Sequence, residues 1–172
     1  MVWSIFKSLF SPPPERTALA GLKAGRVQIT GVARPGERTL ASPIGGLACV
    51  AFFYRSTWAA PTRGSKVDRL VEQAQVYAPG FLLELDDATV QVEPPESGRF
   101  AREDHQRLLA AGLPGFKAEE QLMRPGDRLR LSGRLHLDGE RPRLELSRAE
   151  ILEVAADAGK KPKRWPKRRR AL

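Results

Sequence analysis

A mainly β fold, β-rich α+β, is what three features of the chain predict. Short runs alternate apolar and polar residues, glycines sit in the middle of some of them, and 172 residues allow one well-cored domain. Alternation at period two marks a half-buried strand, and a mid-strand glycine marks a bulge or bend that lets a small sheet curl. The expected architecture is a small curled sheet or partly open OB-like barrel of about six strands with one or two inserted helices. An N-terminal amphipathic helix and a disordered basic C-terminal tail flank it.

The first element is read from MVWSIFKSLFSPPPE. Val2, Ile5, Phe6, Leu9 and Phe10 recur at helical spacing on one face, with Ser4, Lys7 and Ser8 opposite. Pro12, Pro13 and Pro14 stop the helix and hold an extended spacer, so residues 1–16 form one unit. A cleaved secretory signal needs a basic start, a longer apolar core and a small-residue cleavage site, which this stretch lacks. A helix of about ten residues is marginal in water unless its apolar face is covered. The domain's own surface, a second copy or lipid would cover it, and periodicity alone does not separate these; Trp3, beside that face, leans toward a lipid interface. No apolar run approaches the roughly 20 residues needed to span a bilayer.

The body follows as residues 20–155. GRVQITGVA alternates Val27 and Ile29 against Arg26, Gln28 and Thr30, a half-buried strand. SPIGG reads as a turn, and LACVAFFYR after it as a more deeply buried strand. Cys49 lies inside that run as a small apolar residue that needs no chemistry. SKVDRLVEQAQVYAP fits a helix by Val67, Leu70, Val71 and Ala74 or, in its later part, a strand. GFLLELDDATVQVEP is a hairpin whose Asp86 and Asp87 are read as turn residues bonded to their own backbone, since no partner ligands for a metal lie nearby. FAREDHQRLLAAGLPG is the best internal helix, with Phe100, Leu108 and Leu109 apolar, Gly112 as its stop and His105 as a surface residue among charges. Glu119 and Glu120 of PGFKAEEQ form a solvated patch before the next strand.

DRLRLSGRLHLDGERPRLELSRAEI is the longest strand pair. Leu129, Leu131, Leu135 and Leu137 run to the turn and Leu144 and Leu146 return, while Gly133 suggests a bulge. Arg128, Arg130, Arg134, His136, Arg141 and Arg143 fall outward, interspersed with Asp127, Asp138, Glu140, Glu145 and Glu150. That pattern reads as a solvated mixed-charge face.

The chain closes on KKPKRWPKRRRAL, the greater part of a tail spanning residues 157–172. Lys160, Lys161, Lys163, Arg164, Lys167, Arg168, Arg169 and Arg170 carry the charge; removing those eight lowers the net balance from +9 to about +1. Pro162 and Pro166 break helix, and Trp165 alone offers anything to bury, so the segment reads as a disordered arm. One cysteine excludes a disulfide framework and any cysteine-rich zinc site. No Ser–His–Asp or Cys–His arrangement, phosphate loop or ligand cluster is visible, so catalysis, metals and cofactors are not expected.

Taken in order, GRVQITGVA, LASPIGGLACVAFFYR, FLLELDDATVQVEP and EEQLMRPGDRLRLSGRL resemble the GIDE domain, also called the beside-a-membrane domain. That domain occurs in mitochondrial RING-type ubiquitin ligases and in many bacterial membrane proteins, where the resemblance implies a binding or sensing module next to a bilayer. Here one cysteine and two histidines do not build the two zinc sites of a RING, so ligase activity does not follow. No run within this sequence corresponds to the family's flanking membrane-spanning helices.

The function expected is therefore a non-enzymatic, membrane-adjacent module on the cytoplasmic side, attached peripherally by two weak signals. Val2, Trp3, Ile5, Phe6, Leu9 and Phe10 would insert, and the cations from Lys160 to Arg170 with Trp165 would meet an anionic surface. The alternative is a nucleic-acid-binding OB-like domain with a basic tail, in which Trp165 stacks on a base.

Overall fold

The structure, a computed structural model, describes residues 15–62, 65–96 and 98–154. In chain order the strands are β1 (Gly25–Arg34), β2 (Leu40–Ala41), β3 (Ala48–Cys49), β4 (Ala51–Thr62), β5 (Ser65–Tyr77), β6 (Leu82–Glu84) and β7 (Thr89–Glu93). A helix, α1 (Arg102–Ala110), then precedes β8 (Lys117–Met123), β9 (Arg128–His136) and β10 (Arg143–Glu153).

Five of these strands close into a barrel in the order β1-β6-β7-β10-β9. Its neighbours pair antiparallel except β10 with β7, which are parallel. The barrel is OB-like as expected, but closed rather than partly open. Closure depends on β1 serving two partners: Gly25 to Val32 face β9, and Val32 to Arg34 face β6. Gly31 makes the switch possible, because a Cβ there would lie 2.4 Å from the Glu84 carbonyl oxygen.

The alternating residues fill the interior. Ile29, Leu83, Leu129, Leu131, Leu135 and Leu144 are fully buried, and each contributes about 1.5–3 kcal/mol through area removed from water. The expected bulge is present, carried by the strand that faces Gly133. Between Leu146 and Arg148 the register of β10 slips against Ser132 and Gly133, leaving Ser147 as the extra residue. Gly133 permits it: any Cβ there would lie 2.1 Å from the Glu145 carbonyl oxygen.

A second sheet, ordered β5-β4-β8, joins the barrel's core through Ala51, Tyr77 and Met123. Residues 65–77, open between helix and strand in sequence, are a strand because β4 offers them a ladder from Ala51↔Tyr77 to Thr62↔Ser65. Where that ladder extends beyond the core, Val67 and Leu70 stay exposed. On one face of this sheet Cys49, Phe52, Tyr54 and Val76 form a separate apolar cluster that Phe100 and Leu108 cover.

Helix α1 lies on that cluster, and Gly112 ends it with φ +63 as expected. His105 is not a surface residue. It is 8% exposed, its Nδ1 is 3.0 Å from the Tyr54 hydroxyl, and Phe100 stacks on the same phenol ring. The sheet decides this: Leu108, one turn on, packs on the Tyr54 cluster, whereas Leu109 points to solvent at 52% exposure. An imidazole is tolerated there because the phenol satisfies it, and burial in turn pushes the Tyr54 pKa up.

Candidate membrane-facing end of the barrel

The segment from Glu15 to Leu22 straps the barrel, and each of its anchors lies far away in sequence. Glu15 accepts from Arg128 at 2.7 Å and from Arg130 at 3.1 Å. The Thr30 amide donates to the Arg16 carbonyl at 2.8 Å, and the Asp86 amide to the Thr17 carbonyl at 2.8 Å. Leu19 and Leu22 then pack on the barrel core.

Asp86 and Asp87 do turn the β6–β7 hairpin, and their carboxylates also hold this strap. The Thr17 hydroxyl donates to the Asp86 carboxylate. The amides of Leu19 and Ala20 donate to Asp87 at 2.6 and 2.8 Å. Those two N–H donors are the chief reason the Asp87 carboxyl is held below the usual carboxylate range.

The far end of the described chain returns to the same place. Arg128 also meets Glu153 at 3.4 Å, and Arg130 meets Glu150 at 3.5 Å. Val154, the last described residue before the tail, packs on the barrel core. One guanidinium, that of Arg128, thus joins the points where residues 1–14 and 155–172 attach to the body. The expected membrane-contact residues Val2, Trp3, Ile5, Phe6, Leu9 and Phe10 lie outside the described residues. So do Lys160, Lys161, Lys163, Arg164, Trp165, Lys167, Arg168, Arg169 and Arg170. No helix among the described residues is long and apolar enough to cross a membrane.

The outer face of β6 and β7, where OB-folds hold oligonucleotides, carries Leu82, Glu84, Thr89, Gln91 and Glu93. Glu84 pairs with Arg34, and Glu93 with Arg143 at 3.2 Å. The face has no aromatic side chain for a base to stack on. Of the aromatics in or beside β4 and β6, Phe52, Tyr54 and Phe81 are buried, and Phe53 and Trp58 are half-buried.

The mixed-charge reading of the β9–β10 face holds for Arg128, Arg130 and Arg143, the last also 3.6 Å from Asp138. Asp127 is not on that face. It is fully buried, and its carboxylate accepts from the Arg124 amide at 2.7 Å to brace the Pro125–Gly126 turn.

Glu119 and Glu120 lie within β8, and Glu120 is no solvated patch. Its carboxylate accepts from the Ser42 hydroxyl at 3.0 Å and from the amides of Ile44 and Gly45 at 2.9 and 3.1 Å. The turn Ser42–Leu47 is thereby folded around an acid that arrives from a distant strand. Cys49, beneath it, is fully buried as expected. Burial, and secondarily the Glu120 charge, push its thiol up to about 12, so at neutral pH it stays protonated and a poor nucleophile.

Sequence reasoning missed Glu15 and Glu120 as anchors and His105 as a buried group, because their partners lie on other elements. One missed feature had a visible signal: the apolar phase of β10 slips from Leu144 and Leu146 to Ala149 and Ile151, which locates the bulge at Ser147–Arg148. No known protein family, no curated protein and no solved structure matches the chain.

Proposed function

We propose that this protein is a non-enzymatic binding module held beside an anionic membrane surface, on the cytoplasmic face, by its two terminal segments. The observation that carries this reading is the shared anchorage of those segments: Arg128 binds Glu15 and Glu153 at once. Arms that leave a rigid body from one place reach one surface together, so the second contact benefits from a high effective concentration. Val2, Trp3, Ile5, Phe6, Leu9 and Phe10 insert apolar area, and the eight cations from Lys160 to Arg170 each contribute about 1 kcal/mol near such a surface. The resemblance of the body to the GIDE domain agrees with a place next to a bilayer.

Nucleic-acid binding is the second reading, favoured by the closed OB-like barrel. Against it stand Glu84 and Glu93 on the outer face of β6 and β7. Co-sedimentation of the full chain with anionic and neutral vesicles, with single-stranded and duplex DNA as competitors, separates the two. Binding to anionic vesicles that survives moderate salt and DNA, and that falls sharply when residues 1–11 are deleted, is the expected result. Equal binding without residues 1–11 would refute insertion, and release by DNA would favour the nucleic-acid reading.

A further inference from the structure

On the outer face of β1, β9 and β10 the arginines fall into two sets. Arg34, Arg128, Arg130 and Arg143 each meet a carboxylate. Arg26, Arg134 and Arg148 have no ion pair among the described residues, although all three are exposed and stand on regular strands.

Their placement is set by the ladder. Arg26 and Arg134 are direct partners across β1 and β9. Like charges facing each other across a strand pair destabilise a sheet unless an anion lies between them. The bulge adds the third cation: with Ser147 as the extra residue, both Ser147 and Arg148 are exposed opposite Ser132 while Leu146 and Ala149 stay buried.

Between these strands runs a groove of about 570 Å³ lined by Arg26, Ser132, Gly133, Arg134, Glu145 and Ser147. Its floor is fixed, since the Ser147 hydroxyl donates to the Ser132 carbonyl at 2.8 Å and Gln28 reaches the Ser132 hydroxyl at 3.3 Å. Glu145 is the carboxylate in the lining, and its Oε2 lies 3.7 Å from His136 Nε2.

We propose that this groove binds a phosphate group, gripped by Arg26 and Arg134. Two lining guanidinium groups against the one carboxylate of Glu145, which faces Arg134 across the β9–β10 ladder, leave about one positive charge, and that favours an anionic phosphate group. Two opposed guanidinium forks also match the tetrahedral oxygens of phosphate, each able to give paired N–H donors. The group is supplied by a lipid headgroup or by a soluble phosphate ester. The site uses neither terminal segment, so it stands or falls separately from membrane attachment.

The test is a titration of the isotopically labelled full chain with inorganic pyrophosphate, following arginine Nε–Hε resonances residue by residue. Arg26 and Arg134 are expected to shift together and saturate, while Arg128 and Arg130 stay in place. Arg134→Gln should weaken the response read at Arg26 by about tenfold or more, the loss of one charge-assisted contact. Arg128→Gln should leave it unchanged. A non-saturating drift shared by all arginines, or an Arg26 response that survives Arg134→Gln, overturns the proposal. Phosphatidylcholine vesicles with and without phosphatidic acid then assign the source. Displacement of pyrophosphate from Arg26 and Arg134 by phosphatidic acid supports the site as a headgroup site, and retention supports it as a site for soluble esters. A single-stranded oligonucleotide that saturates the same resonances at lower concentration than pyrophosphate replaces the proposal with a nucleic-acid contact.

Discussion

Arg128 and Arg130, where β9 begins, are enclosed by Glu15, Glu150 and Glu153. Arg134, further along the same strand and on the same face, looks across at Arg26. The residue type and the strand geometry are alike, so the difference comes from what the rest of the chain delivers. At the first end the strap and the close of β10 bring acids, and the arginines become ties between chain ends. At the second end β10 brings a single acid, Glu145, opposite Arg134, and among the described residues neither Arg134 nor Arg26 closes an ion pair.

The contrast can be broken most severely at the bulge. Gly133→Val places atoms where the Glu145 carbonyl already lies 2.1 Å from a Cβ, so the β9–β10 ladder must part. A loss of about 3 kcal/mol is expected in chemical denaturation, at the upper end of overpacking costs. Survival with native stability would mean that the bulge is not fixed by close backbone approach.

Breaking the other end should cost less. Arg128→Ala combined with Arg130→Ala removes the ties to Glu15, Glu150 and Glu153, which are partly exposed, so about 1 kcal/mol is expected. Amide exchange should quicken at Leu19 and Ala20 and stay slow in the β1–β9 ladder. Uniform quickening throughout the barrel would show that these arginines support the whole fold and not the strap.

Acid should act on the same strap from its other side. The folded Asp87 carboxyl titrates below its unfolded value, so its contribution is present above about pH 4 and is lost as pH falls through the folded value. Exchange at Leu19 and Ala20 should therefore quicken on acidification below that range, and Asp87→Asn should flatten the dependence. An unchanged profile in Asp87→Asn would assign the acid response to another carboxylate.

The smallest effect is expected at Arg34, paired with Glu84 in an exposed position unrelated to either end. Arg34→Gln should change stability by less than about 0.5 kcal/mol, and added salt should erase the difference. A larger loss would show that paired arginines on this barrel matter wherever they occur.

Much of the barrel was legible because its signals are local. Val27 and Ile29 in β1, and Leu129, Leu131 and Leu135 in β9, alternate as inward residues must. The anchors were not legible, since Glu15 meets Arg128 across 113 positions and Glu120 meets the turn at Ser42 across 78. Nothing in the neighbourhood of an acid tells which distant amide or guanidinium will reach it. His105 was misread for the same reason: the phenol that satisfies it comes from β4.

By itself the sequence determined the β class, the need for an irregularity at Gly133, the stop of the helix at Gly112 and the burial of Cys49, because periodicity, backbone freedom and apolarity act within a few residues. Tertiary structure alone decided that residues 65–77 form a strand, that the barrel closes through Gly31, and which arginines find acids. Those outcomes depend on pairings between elements far apart in the chain, whose free energy exists only once the partners have met.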